Sequence, residues 1–272
     1  MRPTLCTAIA IAHFPLSLPS RLLLNVTIGL LLPQMVALAG LLLPAAVNSA
    51  TAQPTATEVV ERMVQAEGRR NTAYVGYTGM RRYSLQNKHF KKPAEAVVRV
   101  VCTGTGAKSF QVLSVTGSRL IGDRAIRKMI EAEGEASQTG EHEQNRILPK
   151  NYDFRLLGTE VADGRLNYVL EILPKTSYRF LLRGRIWVDA KEYAITRVEG
   201  SPAKNSSFWI RDVQIVLRYS RTGPFWLLLL NESRANARIL GETQLTIDYF
   251  DYVVNGQYNR EALSARPGET PD

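Results

Sequence analysis

The stretch that decides the fold is YDFRLLGTEVADGRLNYVLEILP, residues 152–174, in which two alternating runs flank Asp163-Gly164. Asp-Gly is a preferred pair for two-residue hairpin turns, because both central positions of such a turn need a positive φ. The apolar face of the second run consists of Leu166, Tyr168, Leu170 and Ile172. Alternation of this kind is typical of antiparallel strands with one buried face and one wet face.

The same alternation continues almost without interruption to residue 254. It predicts strands at RGRIWVDA (183–190), AITRVEG (194–200), VQIVLRYS (213–220), FWLLLLNES (225–233) and TQLTIDYFDYVV (243–254). Before residue 152, strands are expected at AYVGYTGMRRYSL (73–85), EAVVRVVCT (95–103) and KSFQVLSVT (108–116). Val98, Val100, Ile215, Leu217, Leu245 and Ile247 lie on the apolar faces of these runs.

Two helices are expected among the strands. Thr55 with Glu58 three residues later has the form of a capping box, and the apolar spacing that follows predicts a helix ending near Gly68. RLIGDRAIRKMIEAE (119–133) predicts a second helix that stops at Gly134. Its apolar side consists of Leu120, Ile126, Met129 and Ile130. Residues 135–151 have no period and are expected to form a loop.

These elements predict an α+β fold that is mainly antiparallel β. A single sheet with one apolar face must bury that face, and the two helices are available to cover it. A curved sheet could wrap around them, and loose filling would leave an apolar pocket between helix and sheet.

The N-terminus has the composition of an export signal. Residues 22–43 are apolar and uncharged, Arg2 and Arg21 precede them, and Ala50-Thr51-Ala52 forms an A-x-A cleavage pattern. We expect a signal peptide at residues 1–52, a folded domain at 53–256 and a disordered tail at 257–272, with a periplasmic location. The alternative is an uncleaved inner-membrane anchor facing the periplasm, because 22 apolar residues can span a bilayer.

Charge and chemistry limit the classes of function. Cleavage would leave a formal net charge of +7, because residues 1–52 hold two of the arginines behind the +9 of the whole chain and no acid. This charge suits an anionic membrane surface, the alternative being that it serves solubility alone, whereas nucleic acid is not expected in that compartment. His89 and His142 have no second histidine or cysteine at ligand spacing, and no nucleophile motif occurs. We therefore expect a monomer that is not an enzyme and has no metal or cofactor.

The acidic residues of the second helix, Glu131, Glu133 and Glu135, form a cluster of carboxylates. Three carboxylates on one helix end are far more often solvated than catalytic. We therefore expect all three to face solvent.

FLLRGRIWVDAKEYAITRVEG, residues 180–200, carries a resemblance to a known superfamily. The pattern Trp187-Val188-Asp189, a tight turn, then Ile195-Thr196-Arg197-Val198-Glu199 resembles a hairpin of the outer-membrane lipoprotein-sorting (LolA/LolB-like) superfamily, which includes RseB-like regulators and mycobacterial lipid carriers. The order of elements agrees over residues 55–255. The resemblance implies a half-open β-barrel whose helices cover the concave face and shelter acyl chains.

Two functions follow as hypotheses, with a hydrolase a distant third. The first is a periplasmic carrier that moves lipid, or the acyl chains of lipoproteins, toward the outer membrane. The alternative is an RseB-like, lipid-sensing scaffold that binds an inner- or outer-membrane protein. The cavity candidates are Val98, Val100, Leu120, Ile126, Met129, Ile130, Tyr168, Leu170, Ile172, Ile215, Leu217, Leu245 and Ile247. Arg81, Arg82, Arg183 and Arg185 are candidates for a basic rim that attracts anionic lipid.

Overall fold

The structure, a computed structural model, describes residues 53–117, 122–138, 142–178, 180–204, 210–237 and 241–254. The expected signal peptide (1–52), the expected tail (257–272) and the cavity candidate Leu120 lie outside the described residues. None of the helices in the described ranges is both long enough and apolar enough to cross a membrane.

Three helices and ten strands are described, and the strands lie close to the stretches expected from the alternation. They are α1 (Ala56–Ala73), β1 (Gly76–Asn87), β2 (Ala94–Thr103), β3 (Lys108–Thr116), α2 (Gly122–Gln138), α3 (His142–Asn145), β4 (Tyr152–Ala162), β5 (Arg165–Pro174), β6 (Leu182–Asp189), β7 (Ile195–Pro202), β8 (Ile210–Thr222), β9 (Phe225–Ala237) and β10 (Gly241–Val254). The turn between β4 and β5 has Asp163 at φ 51° and Gly164 at φ 72°, as the Asp-Gly pair predicts.

Helix α1 begins at the predicted capping box. The Glu58 amide donates to Thr55 Oγ1 over 3.2 Å, and the Thr55 amide donates to Glu58 Oε2 over 2.7 Å. The prediction that the helix ends near Gly68 is wrong, because α1 continues to Ala73. A glycine costs a helix only about 1 kcal/mol, and burial of Ala73 on the sheet side favours continuation.

All ten strands form one antiparallel sheet in the order β3-β2-β1-β10-β9-β8-β7-β6-β5-β4. Every neighbouring pair is consecutive in the chain except β1 and β10. Strands β3 and β4 form the two edges, so the sheet is open, and the chain from β3 to β4 carries α2 and α3 from one edge to the other. The predicted fold class, α+β with a mainly antiparallel open sheet and helices on it, is confirmed.

Both long helices cover the same face of this sheet. One row of directly paired residues crosses all ten strands: Val115, Ala96, Tyr83, Ile247, Asn231, Leu217, Val198, Ile186, Leu170 and Leu156. Paired residues of neighbouring strands point to the same side. We call this side the inner face. Its single polar member in the row is the buried Asn231 on β9.

The inner face is divided between two apolar clusters. The α2 cluster joins Ile126 and Ile130 to β1, β2 and β10, including the fully buried Val98 and Val100. The α1 cluster joins Val59, Val60 and Met63 to strands β4 to β8. Leu228 on β9 contacts both clusters and so lies at the boundary between them.

Helix α2 is longer than predicted and carries a buried charge. It passes through Gly134 and ends at Gln138, and residues 142–145 form the short helix α3, so the prediction of a loop over 135–151 is wrong there. Glu131 and Glu135 are exposed, but Glu133 is 5% exposed, which contradicts the expectation that all three carboxylates face solvent. Arg81 Nη1 lies 2.8 Å and Lys108 Nζ 2.6 Å from the two Glu133 oxygens.

Candidate ligand pocket between helix α1 and the sheet

A pocket lies on the inner face where α1 and the segment that contains α3 approach strands β7, β8 and β9. It holds about 710 Å³ of open space, part of which is open to solvent. Its lining consists of Met63, Glu67, Arg70, Asn145, Arg146, Ile147, Tyr193, Ala194, Ile195, Val198, Leu217, Tyr219 and Trp226.

Helix α1 forms one wall of this pocket, and the polarity of its side chains changes along that wall. Met63, Glu67 and Arg70 occupy positions i, i+4 and i+7 of the helix, so they form one stripe. Met63 is buried in the α1 cluster, whereas Glu67 and Arg70 are half-buried. The wall therefore changes from apolar to charged over two turns.

Arg70 is held at the charged end by two main-chain carbonyls. Its Nη1 donates to the carbonyl of Glu192 over 3.1 Å, and its Nη2 donates to the carbonyl of Tyr193 over 3.3 Å. Among the described residues no carboxylate lies within ion-pair distance of this guanidinium. Burial lowers the pKa of Arg70 from its ordinary value, while the more distant Glu67 and Glu192 act in the opposite direction. The guanidinium remains charged, because an arginine pKa starts above 12.

Glu67 is engaged by the opposite wall. Its Oε1 lies 3.1 Å from Arg146 Nη2, and this ion pair ties α1 to the segment between α3 and β4. Next to it, Asn145 Oδ1 is buried and has no hydrogen-bond partner within the described part of the chain. A buried acceptor without a partner costs about 1–3 kcal/mol, so a ligand group that satisfies it would gain that free energy.

The β6–β7 turn forms the rim near Arg70 and is fixed by Asp189. Asp189 Oδ1 accepts from the amides of Lys191 and Glu192 over 2.9 and 2.6 Å, and Arg165 Nε donates to Oδ2 over 2.6 Å. Burial raises the pKa of Asp189, but these hydrogen bonds outweigh it and hold the pKa below its ordinary value. Asp189 therefore stays ionised and keeps the carbonyls of Glu192 and Tyr193 in place.

The aromatic residues near the pocket divide between lining and scaffold. Trp226 lines the pocket and donates from Nε1 to Glu192 Oε2 over 2.9 Å, which fixes its ring. Burial raises the pKa of Tyr219 well above 10, so its phenol is neutral in the lining. Trp187 lies on the other side of the sheet, where Nε1 donates to Glu160 over 2.9 Å and Arg197 lies 4.6 Å from the ring centroid. It does not line the pocket.

The predicted cavity residues fall on both halves of the inner face. Those in the α2 cluster are Val98, Val100, Ile126, Met129, Ile130, Leu245 and Ile247. Those in the α1 cluster are Tyr168, Leu170, Ile172, Ile215 and Leu217. Only Leu217 of these described candidates lines the pocket. Alternation identified the correct face of the sheet, but most of these side chains are packed in the two clusters.

The predicted basic rim is not assembled as one patch. Arg81 is 3% exposed on the inner face, so the expectation that it lies on an exposed rim is wrong. Arg82 follows it on the outer face, because consecutive strand residues point to opposite sides. Arg82, Arg183 and Arg185 are exposed, but β1 and β6 are separated by four strands.

Sequence reasoning missed most of the pocket lining. The overlooked residues come from α1, the segment after α3, the β6–β7 turn and the start of β9. The signal that could have found them is the α1 stripe of Met63, Glu67 and Arg70, which changes from apolar to charged along one face. In the described part of the chain no three His, Cys, Asp or Glu side chains are grouped as metal ligands.

Neither a protein-family model nor a curated protein matches the chain. A LolA superfamily protein from Nitrosomonas europaea is similar at 11% identity and a TM-score of 0.38, over 76% of this chain and 99% of that one. A domain from Vibrio parahaemolyticus assigned to outer-membrane lipoprotein sorting has 11% identity and a TM-score of 0.42, over 77% and 97%. The MucA/MucB complex of Pseudomonas aeruginosa has 13% identity and a TM-score of 0.23, over 78% and 100%. Proteins named for the superfamily that residues 180–200 resemble are thus among the similar structures.

Proposed function

We propose that this chain is an exported, non-enzymatic carrier that binds one acyl chain or a lipid of similar size in the pocket between α1 and the sheet. One observation carries the proposal: the lining joins apolar sheet residues, including Val198 and Leu217, to charged and polar residues from α1 and the segment that contains α3. An amphiphile matches such a lining, because its apolar chain can be buried against the apolar residues and its head group can contact the polar ones.

The energetics favour this occupant. Each methylene buried contributes about 0.8 kcal/mol, so a chain of a few carbons already offsets much of the cost of association. The lining provides few groups for general acid or base chemistry, since Tyr219 is neutral and Glu67 is paired with Arg146. Binding and transfer are therefore the functions that we assign.

The direct test combines extraction with a pocket-filling variant. Organic extracts of the purified mature protein are analysed by mass spectrometry, and carrier function predicts bound lipid in stoichiometric amount. Ile195→Trp places a larger side chain in the lining and should remain folded while losing that lipid. Val161→Trp is the matched control, because Val161 is 69% exposed and outside the pocket.

The outcomes separate the alternatives. Wild-type protein that never carries lipid and never binds a single-chain probe would eliminate the carrier. Equal lipid content in both tryptophan variants would place the ligand elsewhere. A tight membrane-protein partner without bound lipid would favour the scaffold hypothesis.

The location in the cell remains part of the proposal. N-terminal sequencing of exported protein should begin at or close to Gln53. An intact N-terminus in the membrane fraction would instead establish the anchored form.

A further inference from the structure

The pocket contains a cation that its own walls do not neutralise. Of the three charged residues in the lining, Glu67 and Arg146 form an ion pair with each other. Arg70 remains, and within the described residues its hydrogen bonds go to the carbonyls of Glu192 and Tyr193 and to no carboxylate. A charge that is partly withdrawn from water is costly unless it is paired. The lining therefore has a formal net charge of +1, carried by Arg70.

The position of this cation fixes how a ligand would lie. Arg70 is at the charged end of the α1 stripe, and Met63, two turns away, is at the apolar end. Two turns of helix correspond to about 11 Å. An extended chain with an anionic group at Arg70 would run along α1 toward Met63 and Leu217.

We propose that the ligand is a single-chain anionic amphiphile, with its carboxylate or phosphate bound by Arg70 and its chain against the apolar sheet residues of the lining. The inference rests on the proposed lipid-binding function and adds the charge and the orientation of the ligand. A guanidinium presents five N–H donors, so Arg70 keeps donors for an anion while it holds the two carbonyls. The anion takes the place of the carboxylate partner that the protein does not supply.

Asn145 provides a second polar group in the lining. Its Oδ1 is buried without a partner, on the wall that also carries Arg146. Rotation of the amide group exchanges its oxygen and its NH₂, so this side chain can donate to an anionic oxygen or accept from a head-group hydroxyl.

The test compares the affinities of two probes that differ in charge and by one methyl group. Dansylaminoundecanoic acid and its methyl ester have the same chain and fluorophore, and both are titrated against the mature protein at pH 8 and physiological salt. The acid should bind at least about 10-fold more tightly than the ester, as expected for a charge-assisted hydrogen bond in a partly desolvated site. Binding of both probes with equal affinity would overturn the proposed preference for an anion but would not contradict the proposed carrier function. Binding of neither probe would overturn the carrier itself.

Variants assign the preference to Arg70. Arg70→Gln should bring the acid-to-ester ratio close to one, while Arg70→Lys should retain most of the ratio. Arg69→Gln is the matched control: it removes the same charge one position away, outside the lining, and should retain the ratio. A ratio unchanged in Arg70→Gln, or lost equally in Arg69→Gln, would refute the assignment.

Two further measurements test the proposal even if the Arg70→Gln variant does not fold. Glu67→Gln removes the one carboxylate of the lining and should raise the ratio; a fall would contradict the proposal. Inorganic phosphate at millimolar concentration should not displace the acid probe, because it lacks the chain. Displacement at that concentration would identify a site for free anions and overturn the proposal that the ligand is an amphiphile.

Discussion

Replacing Glu133 by glutamine should destabilise the protein more than any other single charge removal on α2. Among the described residues, Glu133 is the only carboxylate in contact with two buried cations, Arg81 and Lys108, and the three side chains are 4%, 3% and 2% exposed. The guanidinium of Arg81 also lies between the rings of Phe110 and Tyr249, at 5.4 and 4.8 Å. The variant would leave two like charges in that site with no counter-ion.

The expected magnitude is about 3–5 kcal/mol, the usual cost of breaking a buried ion pair on one side. Burial raises the pKa of Glu133, but Arg81 and Lys108 outweigh it and bring the pKa to about 2. An unfolded-state pKa near 4.3 then gives a contribution of roughly 3 kcal/mol. Because the folded pKa is depressed, this contribution is complete above about pH 5 and is lost as pH falls toward 2.

Urea unfolding at pH 7 and at pH 3 measures both effects. Wild type should lose stability between these pH values, and Glu133→Gln should show a smaller part of that loss. Glu131→Gln is the matched control, because Glu131 is exposed on the same helix, and its effect should stay within about 0.5 kcal/mol. Lys108→Met leaves a neutral Arg81–Glu133 pair and should cost less than Glu133→Gln. A loss below about 1 kcal/mol in Glu133→Gln would refute the reasoning.

Three further predictions concern packing and backbone. Val100→Phe should cost roughly 1–3 kcal/mol in urea unfolding without reducing lipid binding, because Val100 is fully buried beneath α2 and away from the pocket; lost binding at unchanged stability would contradict this. Gly184→Ala should lower the melting temperature strongly, since its Cβ would lie 1.9 Å from the Glu199 carbonyl oxygen, and an unchanged temperature would show that β6 and β7 are farther apart. Gly68→Ala should raise stability by about 0.5–1 kcal/mol, because Gly68 lies inside α1 with no atom near the added methyl group; a decrease would argue against helix at this position.

Local sequence patterns predicted the strands because each strand is amphipathic and most are joined by short turns. Asp163-Gly164 is the clearest case, since the turn chemistry and the flanking alternation agree. The pairing of β1 with β10 was not predictable in the same way, because these strands are separated by most of the domain. The end of α1 was missed since Gly68 weakens a helix only slightly, and burial of Ala73 decides the outcome.

The pocket was harder to predict than the sheet. Periodicity shows that Ile172 and Leu217 share a face with Val100, but it does not show which part of that face a helix covers completely. The charges were misassigned for a related reason. Arg81 and Arg82 are identical in type and adjacent in sequence, yet the pleat sends one to the inner face and the other to solvent.

The proposed ligand pocket lies in one half of the inner face. On the α2 side, Arg81, Glu133 and Lys108 connect α2 to β1 and β3, and Ile126 and Ile130 of α2 pack in the same cluster as the fully buried Val98 and Val100. On the α1 side, the stripe that faces the pocket changes from the buried Met63 to the half-exposed charges of Glu67 and Arg70, while Ala66 and Ala73 on the same helix are buried. The pocket lies beside the charged part of this stripe, and apolar residues of the sheet, Val198 and Leu217, line its other side. The change from apolar to charged side chains along this stripe thus creates a site suited to an amphiphile.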